Sequence, residues 1–375
     1  MSAALSGCAD KKALPEVQPT PEVVVTPQPT PEPTPFPEPQ MEKGGAVTFD
    51  GTELPDGSFE KDGIQYVLLS EAAEALGGVS EGNGETFTLS WYRGELSFKG
   101  GTDGIPCHGG EDLYVPVEDF CRSCSIGMLY DDEYDHLYCT ASAGEWDIPQ
   151  GYTCPVFMYH SVGKNSAGVS TICVKTENLE EQFKYLLENG YSPIWFEDID
   201  HIEDYERPVI LMFDDGWRDN YTELWPLVER YQVKVTICPV PAFTDVSHHH
   251  LTSDMIHEMC QSEYIRFESH TYKHGYLDQM TSQEQYDELV DSRLWITRMT
   301  GRQPIVLCYP TGITTDYVQR LIRDDHIYRF GVKMLGYESY NTSDDPSVVW
   351  RFYPERTTTL YDYASWLKSA FKIIN

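Results

Sequence analysis

Basic residues are scarce in this chain. It has 27 Lys and Arg against 60 Asp and Glu among 375 residues, which gives a formal net charge of -33 at pH 7. Nucleic acids and anionic membrane surfaces bind proteins through clustered Lys and Arg. The sequence therefore predicts that no nucleic acid binds here and that no membrane surface holds the chain through charge.

Long apolar runs are missing as well. No stretch of about eighteen apolar residues occurs, so the sequence predicts no membrane-spanning helix. Hydrophobic residues still make up 41% of the chain, which is enough for buried cores, and 375 residues are enough for two domains.

The first residues resemble part of a secretion signal. Leu5-Ser6-Gly7-Cys8 is similar to the lipobox of bacterial lipoproteins, in which the cysteine becomes the lipidated amino terminus. Seven residues precede Cys8, without Lys or Arg and without an apolar stretch of signal-peptide length. We assign residues 1–12 as a partial lipoprotein signal. The resemblance implies lipidation at Cys8, an extracytoplasmic location and a lipid anchor on the outer face of the cell membrane.

Residues 13–45 are rich in Pro, Thr and Glu. Such a composition buries little apolar surface, and its prolines favour an extended chain of about 3.1 Å per residue. We expect a disordered linker that acts as a stalk.

Residues 46–143 contain an internal repeat. Each copy is predicted as a strand, a short helix and a hairpin, and the copies begin at Tyr66 and Tyr114. The pattern resembles the copper amine oxidase N-terminal-like domain, which implies an accessory domain without copper or oxidase chemistry. Within it, Cys121, Cys124 and Cys139 align with core positions of the first copy. We expect buried thiols there, ahead of a disulfide or a zinc site, because a structural zinc site usually shows a second close cysteine pair.

Residues 153–375 alternate predicted strands with predicted helices, which indicates an α/β fold with a parallel sheet or barrel. Asn178 with Glu181, and Thr281 with Glu284, have the spacing of capping boxes and predict two helix starts. The predicted strands are Pro155–Tyr159, Val209–Phe213, Lys234–Cys238, Tyr264–Glu268, Ile305–Tyr309 and Phe330–Val332. In a parallel sheet or barrel, functional side chains gather beyond the carboxyl ends of the strands.

One predicted strand ends in two adjacent carboxylates. Asp214 and Asp215 follow an apolar run directly and precede Gly216. Two neighbouring Asp at such a place repel each other and are partly desolvated, so a metal cation would stabilise them; a turn that starts the next helix is the alternative. His270 and His274 follow another strand and could complete a set of two histidines and one carboxylate. Zinc is the first expectation for this site, and cobalt, nickel, manganese or iron would suit the same ligands.

The motifs between Pro155 and Trp366 resemble those of polysaccharide deacetylases of the NodB homology type, carbohydrate esterase family 4. Phe213-Asp214-Asp215-Gly216 matches the family's first motif, and Ser269-His270-Thr271-x-x-His274 matches its second. The resemblance implies a distorted (β/α)7 barrel. It also implies roles: Asp214 as catalytic base, a single divalent metal on Asp215, His270 and His274, an oxyanion contact from the backbone N–H of Thr311, and substrate contacts at Tyr309 and Pro310.

Two features of the family are missing from this sequence. The third motif, Cys308–Gly312, has no Arg to orient Asp214, and no histidine follows His326 to act as the general acid. We predict that His160, at the end of its strand, is the substitute acid; a structural hydrogen bond at the strand ends is the alternative. We expect His248–His250 to be a loop rather than a ligand set, and Cys308 to be a packed thiol rather than a nucleophile.

Two functions remain in view. The first is a metal-dependent hydrolase that removes N-acetyl groups from a cell-wall or extracellular polysaccharide, such as peptidoglycan or poly-N-acetylglucosamine, and releases acetate. The second, suggested by the missing Arg and late His, is a deacetylase-fold protein that binds wall polysaccharide with little or no turnover. The sequence leaves the polysaccharide, the metal and the oligomeric state open.

Overall fold

The structure is a computed structural model, and it describes residues 41–82, 86–99, 107–108, 112–144, 149, 151–164, 171–334 and 345–371. The predicted signal, Cys8 and residues 13–40 of the predicted linker lie outside the described residues. Among the described residues, every helix is too short or too polar to cross a membrane.

Residues 41–143 form small sheets with two short helices. The elements in chain order are β1 Glu42–Lys43, β2 Ala46–Phe49, β3 Thr52–Glu53, β4 Phe59–Lys61, β5 Ile64–Leu68, α1 Leu69–Ala75, β6 Val79–Gly82, β7 Thr86–Trp91, β8 Gly94–Lys99, β9 Cys107–His108, β10 Asp112–Pro116, α2 Val117–Ser123, β11 Gly127–Asp131 and β12 His136–Thr140. The strand pairs are antiparallel except that β12 pairs with β2 in parallel. The order strand, helix, hairpin occurs at β5–α1–β6–β7 and again at β10–α2–β11–β12, as the internal repeat predicts.

A separate hydrophobic core lies within this N-terminal part. It contains Val47, Phe49, Leu89 and Phe120, and the predicted buried thiols Cys121, Cys124 and Cys139 are confirmed within it. The likeness to a copper amine oxidase N-terminal-like domain stays a prediction.

The C-terminal part alternates strands and helices. Its elements are β13 Val156–Tyr159, α3 Thr176–Glu188, β14 Ser192–Ile194, β15 Pro208–Asp215, α4 Trp225–Tyr231, β16 Val235–Pro239, α5 Ser253–Met259, β17 Ile265–Phe267, α6 Ser282–Thr300, β18 Val306–Cys308, α7 Asp316–Arg323, β19 Phe330–Val332 and α8 Leu360–Ala370. Short 3-10 turns and one π turn, Asn220–Leu224, connect them.

The predicted parallel pairing is confirmed. Strand β15 lies between β13 and β16, β17 pairs with β16, β14 adds to β15, and β18 pairs with β19, each in parallel. These strands form one five-stranded and one two-stranded sheet. Single bridges Ser269–Leu307, Val332–Val349 and Phe157–Phe352 join further segments. The fold is mixed α/β, and the seven-unit barrel stays a prediction.

The two parts of the chain meet at the amino end of β18. Arg298 donates from Nε and Nη2 to the two oxygens of the buried Asp131 at 2.5 and 2.7 Å. Gln303, just before β18, donates its backbone N–H to Thr140 Oγ1 at 3.0 Å and its side-chain Nε2–H to Gly127 O at 2.9 Å. The N-terminal part is therefore attached at the strand end opposite to the one that carries the predicted site.

Candidate metal and catalytic site

The parallel register brings the predicted site residues to one edge. Asp214 and Asp215 are the last residues of β15 and lie opposite Cys238 and Pro239 of β16. His270 follows β17, and the bridge between Ser269 and Leu307 holds that segment beside β18. Carboxyl ends of neighbouring parallel strands meet at the same edge, which explains the convergence.

The backbone at this edge is locally strained. Asp215, Thr271, His274 and Thr311 have φ values of 72°, 60°, 59° and 57°. A positive φ is uncommon for residues other than glycine and concentrates at functional sites. Gly216 has a φ of 67° as well, and a Cβ there would lie 2.8 Å from Pro239 Cα, so both the conformation and the close approach require glycine.

Three side chains have the geometry of a metal site. Nε2 of His270 and Nε2 of His274 lie 3.3 and 3.4 Å from Asp215 Oδ1, and together the ligand atoms of these residues form a compact group. Ligand bonds of about 2.0–2.2 Å in a tetrahedral arrangement place ligand atoms about 3.3–3.6 Å apart, so the observed spacing fits. The Nδ1–H of His270 donates to Cys308 O at 2.8 Å, so in the neutral imidazole the lone pair lies on Nε2, where it can bind a cation.

The pKa shifts of Asp215 and His274 also suit a cation. Burial would lower the pKa of His270, but the carboxylates of Asp214 and Asp215 outweigh burial and raise this pKa. Burial alone would raise the pKa of Asp215, but the contact with His270 and the nearby imidazoles of His160 and His274 hold it well below its usual value. Burial, together with the neighbouring His270, lowers the pKa of His274 to about 4. At neutral pH the site therefore offers an ionised carboxylate and a neutral His274, which are the forms that bind metals.

Asp214 pairs with an arginine. Arg351 donates from Nη1 and Nη2 to Asp214 Oδ1 and Oδ2 at 2.8 and 2.7 Å, and its Nε donates to Lys333 O at 3.1 Å. Both side chains are buried. Burial raises the pKa of Asp214, but the Arg351 charge outweighs this effect and holds the pKa below its usual value.

The expectation that Asp214 lacks an arginine partner is therefore wrong. The third motif indeed has no Arg, but Arg351 reaches the same carboxylate from the C-terminal segment. Val349 bridges to Val332 and Phe352 bridges to Phe157, so this segment runs between β19 and β13. A lone arginine inside the apolar stretch from Val348 to Phe352 was the signal that could have identified it.

The third-motif residues Tyr309, Pro310 and Thr311 follow β18 and lie beside the site. Tyr309 is fully buried and donates its hydroxyl to Ser347 O at 2.7 Å, so its ring packs in the interior. Pro310 is buried and Thr311 is exposed. An oxyanion contact from Thr311 N–H and substrate contacts at Tyr309 and Pro310 stay predictions, and for Tyr309 they would involve the backbone.

His160 follows β13 at the same edge. Its Nδ1 is buried and has no hydrogen-bond partner among the described residues, and its ring meets Tyr353 edge-on at 5.7 Å. Burial lowers the pKa of His160, while Asp215 and Asp214 act against this effect. The role of general acid stays a prediction.

Two further expectations concern neighbouring residues. His248–His250 lies in a turn segment, as predicted, yet His250 is buried against Trp217. Cys308 is a packed thiol, as predicted, with its Sγ 3.1 Å from Sγ of Cys238.

Comparison with known proteins identifies a family for part of the chain. Residues 201–329 match the family model described as polysaccharide deacetylase. YxkH of Bacillus subtilis (strain 168), whose name places it among polysaccharide deacetylases, is 32% identical over 164 residues, 42% of this chain and 56% of that protein. The poly-beta-1,6-N-acetyl-D-glucosamine N-deacetylase of Escherichia coli (strain K12) is 27% identical over 137 residues, which cover 32% of this chain and 20% of that protein.

Solved structures share the fold. A polysaccharide deacetylase from Bacillus cereus aligns with a TM-score of 0.53 at 20% identity, over 76% of this chain and 96% of that chain. The Streptococcus pyogenes deacetylase PplD, solved in complex with acetate, aligns with a TM-score of 0.52 at 21% identity, over 58% of this chain and 98% of that chain. Residues 201–329 thus resemble polysaccharide deacetylases, and the chain spans about half or less of the length of these two curated relatives.

Proposed function

We propose that this chain, through its polysaccharide deacetylase region, is a metal-dependent hydrolase that removes N-acetyl groups from sugars of a cell-wall or extracellular polysaccharide. The observation that carries the proposal is the division of the aspartate pair. Asp215 lies beside two imidazoles at metal-ligand spacing, while both carboxylate oxygens of Asp214 accept hydrogen bonds from Arg351. Such a pair supplies a cation site and a separate base within one site.

The residues fit a divalent metal, with zinc as first expectation, held by Asp215, His270 and His274. When bound, such a metal would supply an acidified water, since the pKa of metal-bound water falls from about 15.7 towards 7. Asp214 would accept the proton of the attacking water, and Arg351 would keep its carboxylate fixed. The backbone N–H of Thr311 would donate to the oxyanion. Cleavage of the amide C–N bond then yields acetate and a free sugar amine, once that amine has gained a proton.

His160 is the proposed source of the proton for the leaving amine. Two observations support this role: Nδ1 of His160 has no hydrogen-bond partner among the described residues, and the side chain lies near Asp214 and Asp215. We expect His160→Ala to lower turnover by about 10²- to 10⁴-fold, the range for a lost general acid, and to leave bound metal unchanged. Acetate release and metal content of the purified variant measure the two effects; unaltered turnover would assign His160 a structural role only.

The substrate proposal rests on the relatives and on the amino-terminal sequence. The E. coli relative is named for poly-β-1,6-N-acetylglucosamine, and peptidoglycan is the other polymer of N-acetylated sugars that an envelope protein meets. We also propose that Cys8 carries a lipid anchor, that residues 13–45 form a stalk, and that residues 46–143 are an accessory domain. Attachment of this part at the amino end of β18 would leave the candidate site unobstructed. Single bridges between strand segments support a distorted (β/α)7 barrel.

A wall-binding protein without efficient turnover is the competing function. It was suggested by two missing features, and Arg351 now supplies one of them. The absence of a histidine after His326 is the feature that still favours it.

Metal removal tests the proposed function. Acetate release from chitin oligosaccharides, poly-N-acetylglucosamine and peptidoglycan should stop after chelation and return after addition of Zn²⁺, Co²⁺, Ni²⁺ or Mn²⁺. Asp215→Ala should bind no metal and release no acetate, because the carboxylate ligand is gone. A wild-type protein that binds metal but releases no acetate from the whole panel would favour the wall-binding function.

A further inference from the structure

The two carboxylate oxygens of Asp215 have different partners. Oδ1 faces the imidazoles of His270 and His274 at 3.3 and 3.4 Å. Oδ2 accepts a hydrogen bond from the indole Nε1–H of Trp217 at 3.0 Å. The indole therefore engages the oxygen that the histidines leave free.

Backbone pairing holds Trp217 in place. It forms an antiparallel bridge with His250, in the segment before α5. On either side of that bridge, Arg218 N donates to His249 O and Leu251 N donates to Gly216 O, each at 2.8 Å. These bonds fix the main chain on both sides of the indole.

Ring contacts hold the indole plane. The Trp217 ring stacks on His250 at a centroid distance of 4.7 Å and an angle of 26°, and His250 Nδ1 hydrogen-bonds to Ser247 Oγ at 2.8 Å. Phe243 then packs on His250 at 4.8 Å and on His274 at 6.3 Å. The rings of Trp217, His250 and Phe243 therefore connect Asp215, to which Trp217 donates, with His274, on which Phe243 packs.

We propose that Trp217 is a positioning residue that restricts Asp215 to one ligating oxygen, and that His250 fixes the indole for this purpose. An indole is a donor only, so it stabilises the ionised carboxylate and occupies Oδ2 without competing for a cation. A monodentate Asp with two histidines leaves coordination positions for water and substrate. A bidentate Asp would fill one of those positions. This inference rests on the proposed metal-dependent function.

The test is metal affinity rather than activity. Hydrogen-bond partners of metal ligands typically contribute 10- to 100-fold to metal affinity. We expect Trp217→Phe, which keeps a stacking ring and loses the N–H, to weaken Zn²⁺ binding by about 10- to 100-fold in a chelator competition assay. The visible absorption of the Co²⁺-loaded protein, which reports coordination number, should also change. The melting temperature of the metal-free protein should stay near that of the wild type.

The chain offers a matched control. Trp225 of α4 donates its Nε1–H to Glu229 Oε1 at 2.9 Å in a solvent-exposed hydrogen bond, so Trp225→Phe removes the same kind of bond away from the site. It should bind Zn²⁺ as the wild type does. His250→Phe should keep near-normal affinity through stacking, and His250→Ala should lose affinity, though less than Trp217→Phe.

The measured metal affinities test the roles of Trp217 and His250 separately. Wild-type affinity in Trp217→Phe, or an equal loss in Trp225→Phe, would overturn the role of Trp217 while the proposed function stands. Wild-type affinity in His250→Ala would overturn the role of His250. A wild-type protein that binds no divalent metal would overturn both the inference and the proposed metal-dependent function.

Discussion

Replacing Arg351 with methionine should lower the free energy of unfolding by about 3–5 kcal/mol, the cost of removing one partner from a buried ion pair. The reason is that Asp214 would remain as a buried carboxylate without its two donors, which now lie 2.8 and 2.7 Å from its oxygens. Urea unfolding of the metal-free protein measures the change. Turnover should fall in the same variant, because the carboxylate of the proposed base would lose its fixed orientation.

Two controls separate this effect from a general effect of losing an arginine. Arg323 pairs with Asp345 at 3.0 Å in a partly exposed position, so Arg323→Met should cost less than about 1 kcal/mol. The double variant Asp214→Asn with Arg351→Met should be more stable than Arg351→Met alone, because no buried charge then lacks a partner. Equal stability of the single and double variants would contradict the ion-pair explanation.

The effect of Arg351→Met should also depend on pH. In the wild type, the pKa of Asp214 lies below its usual value, so the stabilisation by this pair is present above the unfolded-state pKa of about 3.9 and is lost as the pH falls through the lower folded-state pKa. In Arg351→Met, burial without Arg351 would raise the pKa of Asp214 above the unfolded value. The variant should then regain stability relative to the wild type as the pH falls, which unfolding curves at several pH values would measure.

Replacing Asp214 with asparagine should lower acetate release by about 10²- to 10⁴-fold, the usual contribution of a general base. Asparagine keeps the shape of the side chain but cannot accept the proton of the attacking water. Metal content should stay at the wild-type level, because Asp214 is paired with Arg351 and is not one of the three proposed ligands. This combination separates the base from the ligand Asp215, whose loss should remove metal and activity together.

Asp214→Asn also leaves Arg351 buried without a counter-charge, so a loss of stability could be mistaken for a loss of catalysis. Asp131 provides the matched control, because it is a buried carboxylate paired with Arg298 far from the site. Asp131→Asn should lower stability and leave turnover per folded molecule unchanged. If Asp131→Asn lowered turnover as strongly as Asp214→Asn, the assignment of Asp214 as base would be wrong.

Local sequence signals predicted the strands better than the helix starts. All six predicted strands of the C-terminal part occur within one or two residues of their predicted bounds, because continuous apolar runs are typical of buried parallel strands. Strand β14 was missed, since it has three residues and contains Pro193. The capping box at Thr281 and Glu284 is confirmed.

The predicted helix start at Asn178 is wrong, and a tertiary contact accounts for the difference. Helix α3 begins at Thr176, and its preceding residue Lys175 makes no side-chain cap. Thr176 Oγ1 instead donates to Glu223 Oε2 at 2.8 Å, a partner from the turn that follows β15. Interactions with residues distant in the chain can extend a helix beyond its local start signal.

The sequence by itself determined that Asp214, Asp215, His270 and His274 meet at one site. Asp214 and Asp215 directly follow an apolar run, His270 and His274 follow another predicted strand, and the ends of parallel strands converge whatever the details of packing. The tertiary structure alone decided what surrounds them: Arg351 lies 137 residues from Asp214, and His250 reaches Trp217 from another loop. No periodicity or motif encodes such contacts, since they depend on which loops lie side by side. Arg351 donates to Asp214, and Trp217, on which His250 stacks, donates to Asp215.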